Sequence, residues 1–296
     1  MANIGIIGYG YVGEATGRGF ETNKKNKVYW YDKYKAGPHT LDDVVAKSEF
    51  IFVSVPTPMF RDYSGSDMTI VQEVGENIAK KIAGTKKVLI IKSSVLPGFT
   101  KKLGKKFPKT NLVMNPEFLT QRNAVRDFLN PQRTVIGSSK KANALKVKKL
   151  YETILPKKQQ YFLMDETSAE ITKFMSNLMN AAKILLANEF YFFAKRMGVN
   201  YDGVREAVQA DSRVGEFMKV PGWDGDFGFG QACFPKDMIG FLAFAKEKKV
   251  DMSALEAVWK KNLKIRKKRD WEGMDNAFGR GASKVAKKND SKKART

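Results

Sequence analysis

The chain has 296 residues, 43% of them hydrophobic, and carries a formal charge of +22. That length holds two modest domains or one large one, and no run of 18 or more uncharged apolar residues is present to span a membrane. A single cysteine excludes an internal disulfide framework; with an N-terminus that lacks the basic region and cleavage site of a signal peptide, it predicts a reducing, cytoplasmic setting.

The basic excess raises nucleic acid or an anionic substrate as partners. The lysines are spread along the whole chain, and no zinc-finger or RNP-like segment occurs. A solvated basic surface is therefore preferred, and nucleic acid is not predicted as a partner.

The predicted elements begin with a short apolar strand, Ala2–Ile7, then glycines, then a helix over Val12–Thr22. Lys27–Tyr31 reads as a second strand ending at Asp32. Phe50–Val55 reads as a buried strand, followed by the turn Pro56-Thr57-Pro58. Ile70–Ile82 has helical spacing. Val88–Ile91, Leu112–Met114 and Thr134–Ile136 read as further strands. Strands separated by helices predict a parallel sheet of βαβ units. Near residue 165 the pattern changes. Thr167 is placed as an N-cap with Glu170 as its capping-box partner, opening a long helix that runs toward Lys195 and stops at Gly198. The remainder reads as helical, interrupted by the Gly- and Pro-rich stretch Pro221–Pro235, with helices over Asp237–Lys246 and Ser253–Arg269. From Ala277 on, a basic, disordered tail is expected.

Two stretches carry chemistry. Gly8-Tyr9-Gly10-Tyr11-Val12-Gly13 is a G-x-G-x-x-G between a strand and a helix, with the acidic Asp32 closing the next strand. Gly8 permits the tight turn, Gly10 lets the backbone approach a pyrophosphate, and Gly13 lets helix and strand pack closely. The helix N-terminus then presents unpaired N–H groups to the phosphates. A carboxylate at Asp32 accepts from the ribose hydroxyls and repels a 2′-phosphate, which favours NAD over NADP; Lys33 softens that preference.

The second stretch is Gly228-Phe229-Gly230-Gln231-Ala232-Cys233-Phe234-Pro235-Lys236-Asp237. A lone cysteine is usually a small buried hydrophobe. Here it follows a glycine-rich loop, is placed just before a helix, and has Lys236 three residues away. A helix N-terminus and a nearby ammonium both favour a thiolate. The only histidine, His39, lies in Gly37-Pro38-His39 and reads as a surface turn residue, which disfavours a His-dependent mechanism or a multi-His metal site.

The loop resembles the catalytic cysteine motif of the UDP-glucose/GDP-mannose dehydrogenase family. Other segments similar to that family follow in order: Phe52-Val53-Ser54-Val55-Pro56-Thr57-Pro58, Lys92-Ser93-Ser94-Val95, Asn115-Pro116-Glu117-Phe118-Leu119, the run from Pro131 to Gly137, Lys173 with Asn177, and Asp211-Ser212-Arg213-Val214-Gly215. The resemblance covers roughly residues 3–265. It implies two successive oxidations with NAD, in which Cys233 captures an aldehyde and a thioester is hydrolysed. Glu117 is then the general base. Lys173 and Asn177, four residues apart on one helix face, stabilise a developing oxyanion, with preorganised donors contributing on the order of 3 kcal/mol each. Ser94 stands where the family has threonine and positions water or cofactor. Asp237 holds Lys173 or a water. Thr57, Ser93 and Lys236 are implied on the cofactor side; Phe118, Leu119, Arg213 and Gly230 on the substrate side. UDP-glucose is the expected nucleotide sugar, because the Cys-Phe-Pro-Lys-Asp form looks most like that branch.

The sequence departs from the family pattern at several places. Gln121 stands where a second glutamate is usual, Leu96-Pro97 reorders a proline, and Gln231-Ala232 replaces a more common Gly-Ser, which stiffens the loop. The third, nucleotide-binding domain of the family is expected to be missing. A two-domain β-hydroxyacid dehydrogenase is the alternative enzyme, sharing length, start and a Lys-x-x-x-Asn; a basic, non-catalytic NAD- or nucleic-acid-binding protein is the alternative outside enzymes. The preferred reading is an α/β protein with a Rossmann-type, doubly wound parallel sheet over residues 1–165, an all-helical domain over 166–275 that pairs into a homodimer through its long helix, and a tail over 276–296.

Overall fold

The computed structural model describes residues 1–279 except Arg213, Glu216, Asp275 and Asn276. The chain divides into two compact units. One comprises Met1–Thr57 and Met68–Lys173; the other comprises Pro58–Asp67 and the chain from Phe174 on.

The first unit is built on seven strands: β1 (Asn3–Ile7), β2 (Lys27–Tyr31), β3 (Phe50–Val53), β4 (Val88–Ile91), β5 (Asn111–Met114), β6 (Thr134–Gly137) and β7 (Tyr161–Met164). Six helices connect them: α1 (Tyr11–Glu21), α2 (Leu41–Lys47), α3 (Thr69–Ile82), α4 (Phe99–Lys106), α5 (Ala124–Leu129) and α6 (Lys141–Tyr151). The strand order is β2-β1-β3-β4-β5-β6-β7. The inner strands read FIFV, VLII and NLVM because helices cover both faces and leave no side for polar residues. Alternate residues then feed separate cores. Ile51, Val53, Leu89 and Ile91 pack with Val71, Ile78 and Leu103 on one face, while Phe52, Val88 and Ile90 pack with Phe20, Phe128 and Val147 on the other.

The parallel sheet expected from sequence has one exception. β5 and β6 run antiparallel, meeting at Met114 and Gly137, because the connection 115–133 enters β6 from the end of the sheet where β5 finishes. Sequence also missed α2, α4, α5, α6 and β7. α2 opens on a capping box, with the Thr40 hydroxyl accepting from Asp43 N–H and the Asp43 carboxylate accepting from Thr40 N–H.

A 31-residue helix, α7 (Glu166–Arg196), leaves the first unit at Lys173. Its cap is not Thr167, which lies inside the helix. Asp165 accepts from the Ser168 N–H (3.0 Å) and hydroxyl (2.5 Å), the usual N-cap geometry. Glu170 turns away instead and accepts from the N–H groups of Gly98 (2.5 Å) and Thr100 (2.8 Å), capping α4 from outside.

In the second unit α7 is followed by α8 (Tyr201–Gln209), α9 (Cys233–Glu247) and α10 (Ser253–Ile265). Gly198 has a φ of +69°, as the predicted helix stop requires. The segment 58–67 joins this unit: Tyr63 Oη donates to Glu272 Oε1 (2.6 Å), and Trp271 Nε1 donates to Tyr63 Oη (3.2 Å). The expectation of a tail from Ala277 on does not hold for residues 277–279. Ala277 and Phe278 are buried, and Met59 exchanges backbone bonds with Ala277 and Gly279. Arg280 onward lies outside the described residues. No helix among the described residues is long and apolar enough to cross a membrane.

Candidate active site

In a doubly wound sheet, ligands bind where the strand order reverses, beyond the carboxyl ends of the strands. Here β1 has β2 on one side and β3 on the other, and the glycine loop leaves β1 at that point. Gly8 has a φ of +88°, which only glycine adopts cheaply. A Cβ on Gly13 would stand 2.0 Å from the Gly8 carbonyl oxygen, so α1 can approach the loop only with glycine there. A Cβ on Gly10 would meet nothing within 4 Å, so the space beside the loop is open. Gly10 caps α1 without a side-chain hydrogen bond, so the helix that begins at Tyr11 opens directly at the loop. Asp32 accepts from the N–H groups of Tyr9 (2.7 Å) and Tyr34 (2.8 Å), and each oxygen retains a lone pair for a ribose hydroxyl. Lys33 is exposed beside it. An open loop, a helix N-terminus and a held carboxylate fit a dinucleotide.

Around the carboxyl ends of β3, β4 and β5 lie the residues quoted from the first unit. Thr57 is buried. Ser93 Oγ donates to the Val55 carbonyl (2.7 Å), which fastens the end of β4 to that of β3; Ser94 is half-buried. Glu117 and Lys173 form a buried ion pair, Nζ to Oε1 at 2.8 Å. The other Glu117 oxygen accepts from the Leu119 N–H (2.7 Å). Burial pushes the Glu117 carboxyl up, but the Lys173 charge and hydrogen bond, the Leu119 N–H and the Lys92 charge together hold it below the usual range. The Phe118 ring lies under two cations, Arg133 at 4.1 Å and Lys173 at 5.6 Å.

A separate polar cluster forms in the second unit. Asp237 is 2% exposed and accepts from Asn177 Nδ2 (2.6 Å) and Lys236 Nζ (2.6 Å). Lys173 donates to Glu117, whereas Asp237, expected to hold Lys173 or a water, accepts from Asn177 and Lys236. Cys233 is half-buried and is itself the first residue of α9, where it was placed just before the helix. Arg213 lies outside the described residues. Gly230 has a structural reason of its own: a Cβ there would stand 2.0 Å from Arg266 Nη2. His39 is half-buried rather than exposed, edge-on to Tyr29.

The residues that shape the cysteine loop went unread in the sequence. Asn262, fully buried, exchanges two bonds with the backbone of Phe229 (2.8 and 3.0 Å), and Asn188 accepts from Gly228 N–H (3.1 Å). Arg266 pairs with Asp224 (2.6 Å) and Asp270 (2.9 Å), and Asp270 accepts from Gln231 N–H (2.9 Å). Their signal was faint, since each is a polar residue inside an otherwise ordinary helix or turn. Gln231 carries a φ of +59°, a left-handed conformation that is costly for a side-chain-bearing residue.

Comparison with known proteins identifies the family. Residues 36–155 match the NAD binding domain of the UDP-glucose/GDP-mannose dehydrogenase family, and residues 167–264 match its central domain. The first match begins past the glycine loop, so that loop stands on its own geometry. The chain is 30% identical over 219 residues to a UDP-glucose 6-dehydrogenase of Rickettsia prowazekii (strain Madrid E), covering 72% of this chain and 48% of that one. It is 29% identical over 305 residues to the UDP-glucose 6-dehydrogenase TuaD of Bacillus subtilis (strain 168), covering 90% and 64%. The solved structure of a UDP-glucose dehydrogenase from the hyperthermophilic archaeon Pyrobaculum islandicum superposes with a TM-score of 0.78 at 27% identity, over 89% of this chain and 68% of that one. The chain thus spans about half the length of the Rickettsia relative.

Proposed function

Since the chain belongs to the UDP-glucose/GDP-mannose dehydrogenase family, we propose that it oxidises a nucleotide sugar, UDP-glucose to UDP-glucuronate, in two NAD-dependent steps through Cys233. The observation that carries this reading is the buried cluster on α9. One turn after Cys233 opens that helix, Asp237 is buried and holds both Asn177 and Lys236. A carboxylate is rarely buried without purpose, and here it orients an amide donor on the long helix.

NAD, when bound, accepts a hydride in each step. The N–H groups of Gly10 to Gly13 would hold its pyrophosphate and Asp32 its ribose, with Lys33, Thr57, Ser93 and Lys236 beside it. The primary alcohol loses a hydride and a proton and becomes an aldehyde. The Cys233 thiolate adds to the aldehyde carbon, and the oxygen of the thiohemiacetal is stabilised by Lys173 and Asn177. Loss of a second hydride and proton leaves a thioester. Glu117 takes a proton from water as the water attacks, the C–S bond breaks, and the acid and thiolate are released. Ser94 positions that water or the cofactor. Phe118, Leu119, Gly230 and Arg213 are proposed toward the sugar and its diphosphate.

We also propose residues 1–165 as the cofactor domain and 166–275 as the helical domain, working in a cytoplasmic setting. Met175, Met179, Leu186, Phe190 and Phe193 form an exposed apolar stripe along α7, through which a homodimer is proposed.

The test is NADH yield from UDP-glucose with wild type and Cys233→Ser. Two NADH per sugar, collapsing in the variant, supports the four-electron route. Activity that survives the substitution refutes it and favours a single-oxidation dehydrogenase. Activity with GDP-mannose alone keeps the route and changes the substrate. No NADH from any nucleotide sugar refutes the reading.

A further inference from the structure

β4 is wholly apolar and is followed at once by Lys92, which is 4% exposed. Its ammonium donates to Asn115 Oδ1 (3.0 Å) and Tyr151 Oη (3.3 Å), and lies over the rings of Phe128 (5.6 Å) and Tyr151 (5.9 Å). These partners, from the residue after β5 and from α5 and α6, are all neutral. They satisfy donors and polarise toward the cation, but they do not cancel its charge. Burial accordingly pulls the Lys92 pKa down to about 8; the Glu117 charge pushes back up and the Lys173 charge lowers it further.

The network does not need a lysine to be complete. Tyr151 Oη already donates to Asn115 Oδ1 (2.6 Å), and Asn115 Nδ2 donates to the Val135 carbonyl (2.7 Å). A methionine would fill the same space and orphan no polar group. An ammonium kept there works against stability, so its reason lies in the charge. That charge acts on both members of the Glu117–Lys173 pair, two ammoniums against one carboxylate, and Asn115, which Lys92 touches, stands two residues before Glu117.

We infer that Lys92 is a positioning residue for the proposed oxidation: tied to Asn115, two residues before Glu117, its buried charge holds the Glu117 carboxylate in its ionised, Lys173-paired form. This rests on the roles proposed above for Glu117 and Lys173.

The experiment compares wild type, Lys92→Met and Lys92→Arg by NADH production from UDP-glucose across pH 5.5 to 9.5, with thermal unfolding over pH 7 to 10.5. Lys92→Met lowers kcat between about tenfold and a hundredfold at pH 7, leaves the KM for NAD within about twofold, and moves the acid limb of the profile to higher pH because Glu117 protonates more readily. Lys92→Arg, charged throughout, restores kcat and removes a basic limb near pH 8. Lys92→Met unfolds no earlier than wild type at pH 7. Between pH 8 and about 10.4 wild type gains stability relative to it, since a lysine whose folded pKa is depressed holds fewer protons folded than unfolded in that window. A Lys92→Met enzyme with the wild-type kcat and pH profile overturns the inference. So does a variant that merely unfolds early with both limbs in place, which marks a packing role. If Lys92→Arg does not fold, Lys92→Met decides alone. A wild-type chain that makes no NADH at any pH overturns the oxidation and this inference together, whereas an active wild type with an unaltered Lys92→Met overturns this inference only.

Discussion

Glu117→Gln keeps the shape of the side chain and removes the charge that balances Lys173. Both residues are buried and the pair is 2.8 Å apart. Removing one partner of a buried pair costs about 3–5 kcal/mol, because the other charge is left uncompensated. The amide oxygen of glutamine keeps a hydrogen bond to Lys173 worth about 1 kcal/mol, so the net loss is about 2–4 kcal/mol. Lys92, a second buried ammonium nearby, places the result toward the upper end. For a chain of this size that corresponds to a fall of roughly 5–15 °C in Tm. Urea and thermal unfolding followed by circular dichroism at pH 7 measure it. Adding Lys173→Met to Glu117→Gln should recover at least half of the loss, since no charge then remains to be balanced. The pH dependence has a definite sign. The folded Glu117 pKa is depressed, so its contribution is present above the unfolded value of about 4.3 and is lost as pH falls through the folded value. The gap between wild type and variant should therefore close below about pH 4. A Glu117→Gln protein within about 1 kcal/mol of wild type at pH 7 would refute the reasoning.

Three further predictions follow from individual positions. Gln231→Gly should stabilise by about 0.5–1 kcal/mol: it relieves a left-handed residue costing roughly 1–2 kcal/mol, less the added freedom of the unfolded chain; a lower Tm would count against the strain. Asp165→Ala should cost about 1 kcal/mol of unfolding free energy and Thr167→Ala almost nothing, the reverse of what the sequence pattern suggests. Glu170 is fully buried, and burial, helped by Glu166 and opposed by the Thr100 and Gly98 bonds, raises its pKa to about 7. A raised carboxyl contributes stability below about pH 4.3 and loses it as pH climbs to 7, on the order of 3 kcal/mol in all. Urea unfolding at pH 5 and 7.5 should show this fall in wild type relative to Glu170→Gln; parallel slopes in the two proteins would contradict it.

Local chemistry made part of the fold legible. β2 and β4 occupy the residues that alternation and apolar runs assigned to them, and the Gly8–Gly13 loop follows β1 as its spacing required. α6 carried a readable period in Ala144, Val147, Leu150 and Tyr151 but was hidden by its lysines. β7 was harder to see: it is an edge strand whose Phe162 and Leu163 are exposed, so burial did not shape it.

The sequence by itself determined which residues have chemistry to offer: a glycine loop between strand and helix, one thiol, and a lysine and an asparagine one turn apart. These follow from backbone conformations and residue types that act over a few positions. Only the tertiary structure decided the partners. Lys173 meets Glu117 across 56 positions and Asn177 meets Asp237 across 60; Asn262 and Arg266 reach back to the cysteine loop, and Glu170 leaves its own helix to cap α4. A buried charge must find whichever opposite group the fold brings within hydrogen-bonding distance, and that distance is set by how strands and helices pack, which no local pattern along the chain encodes.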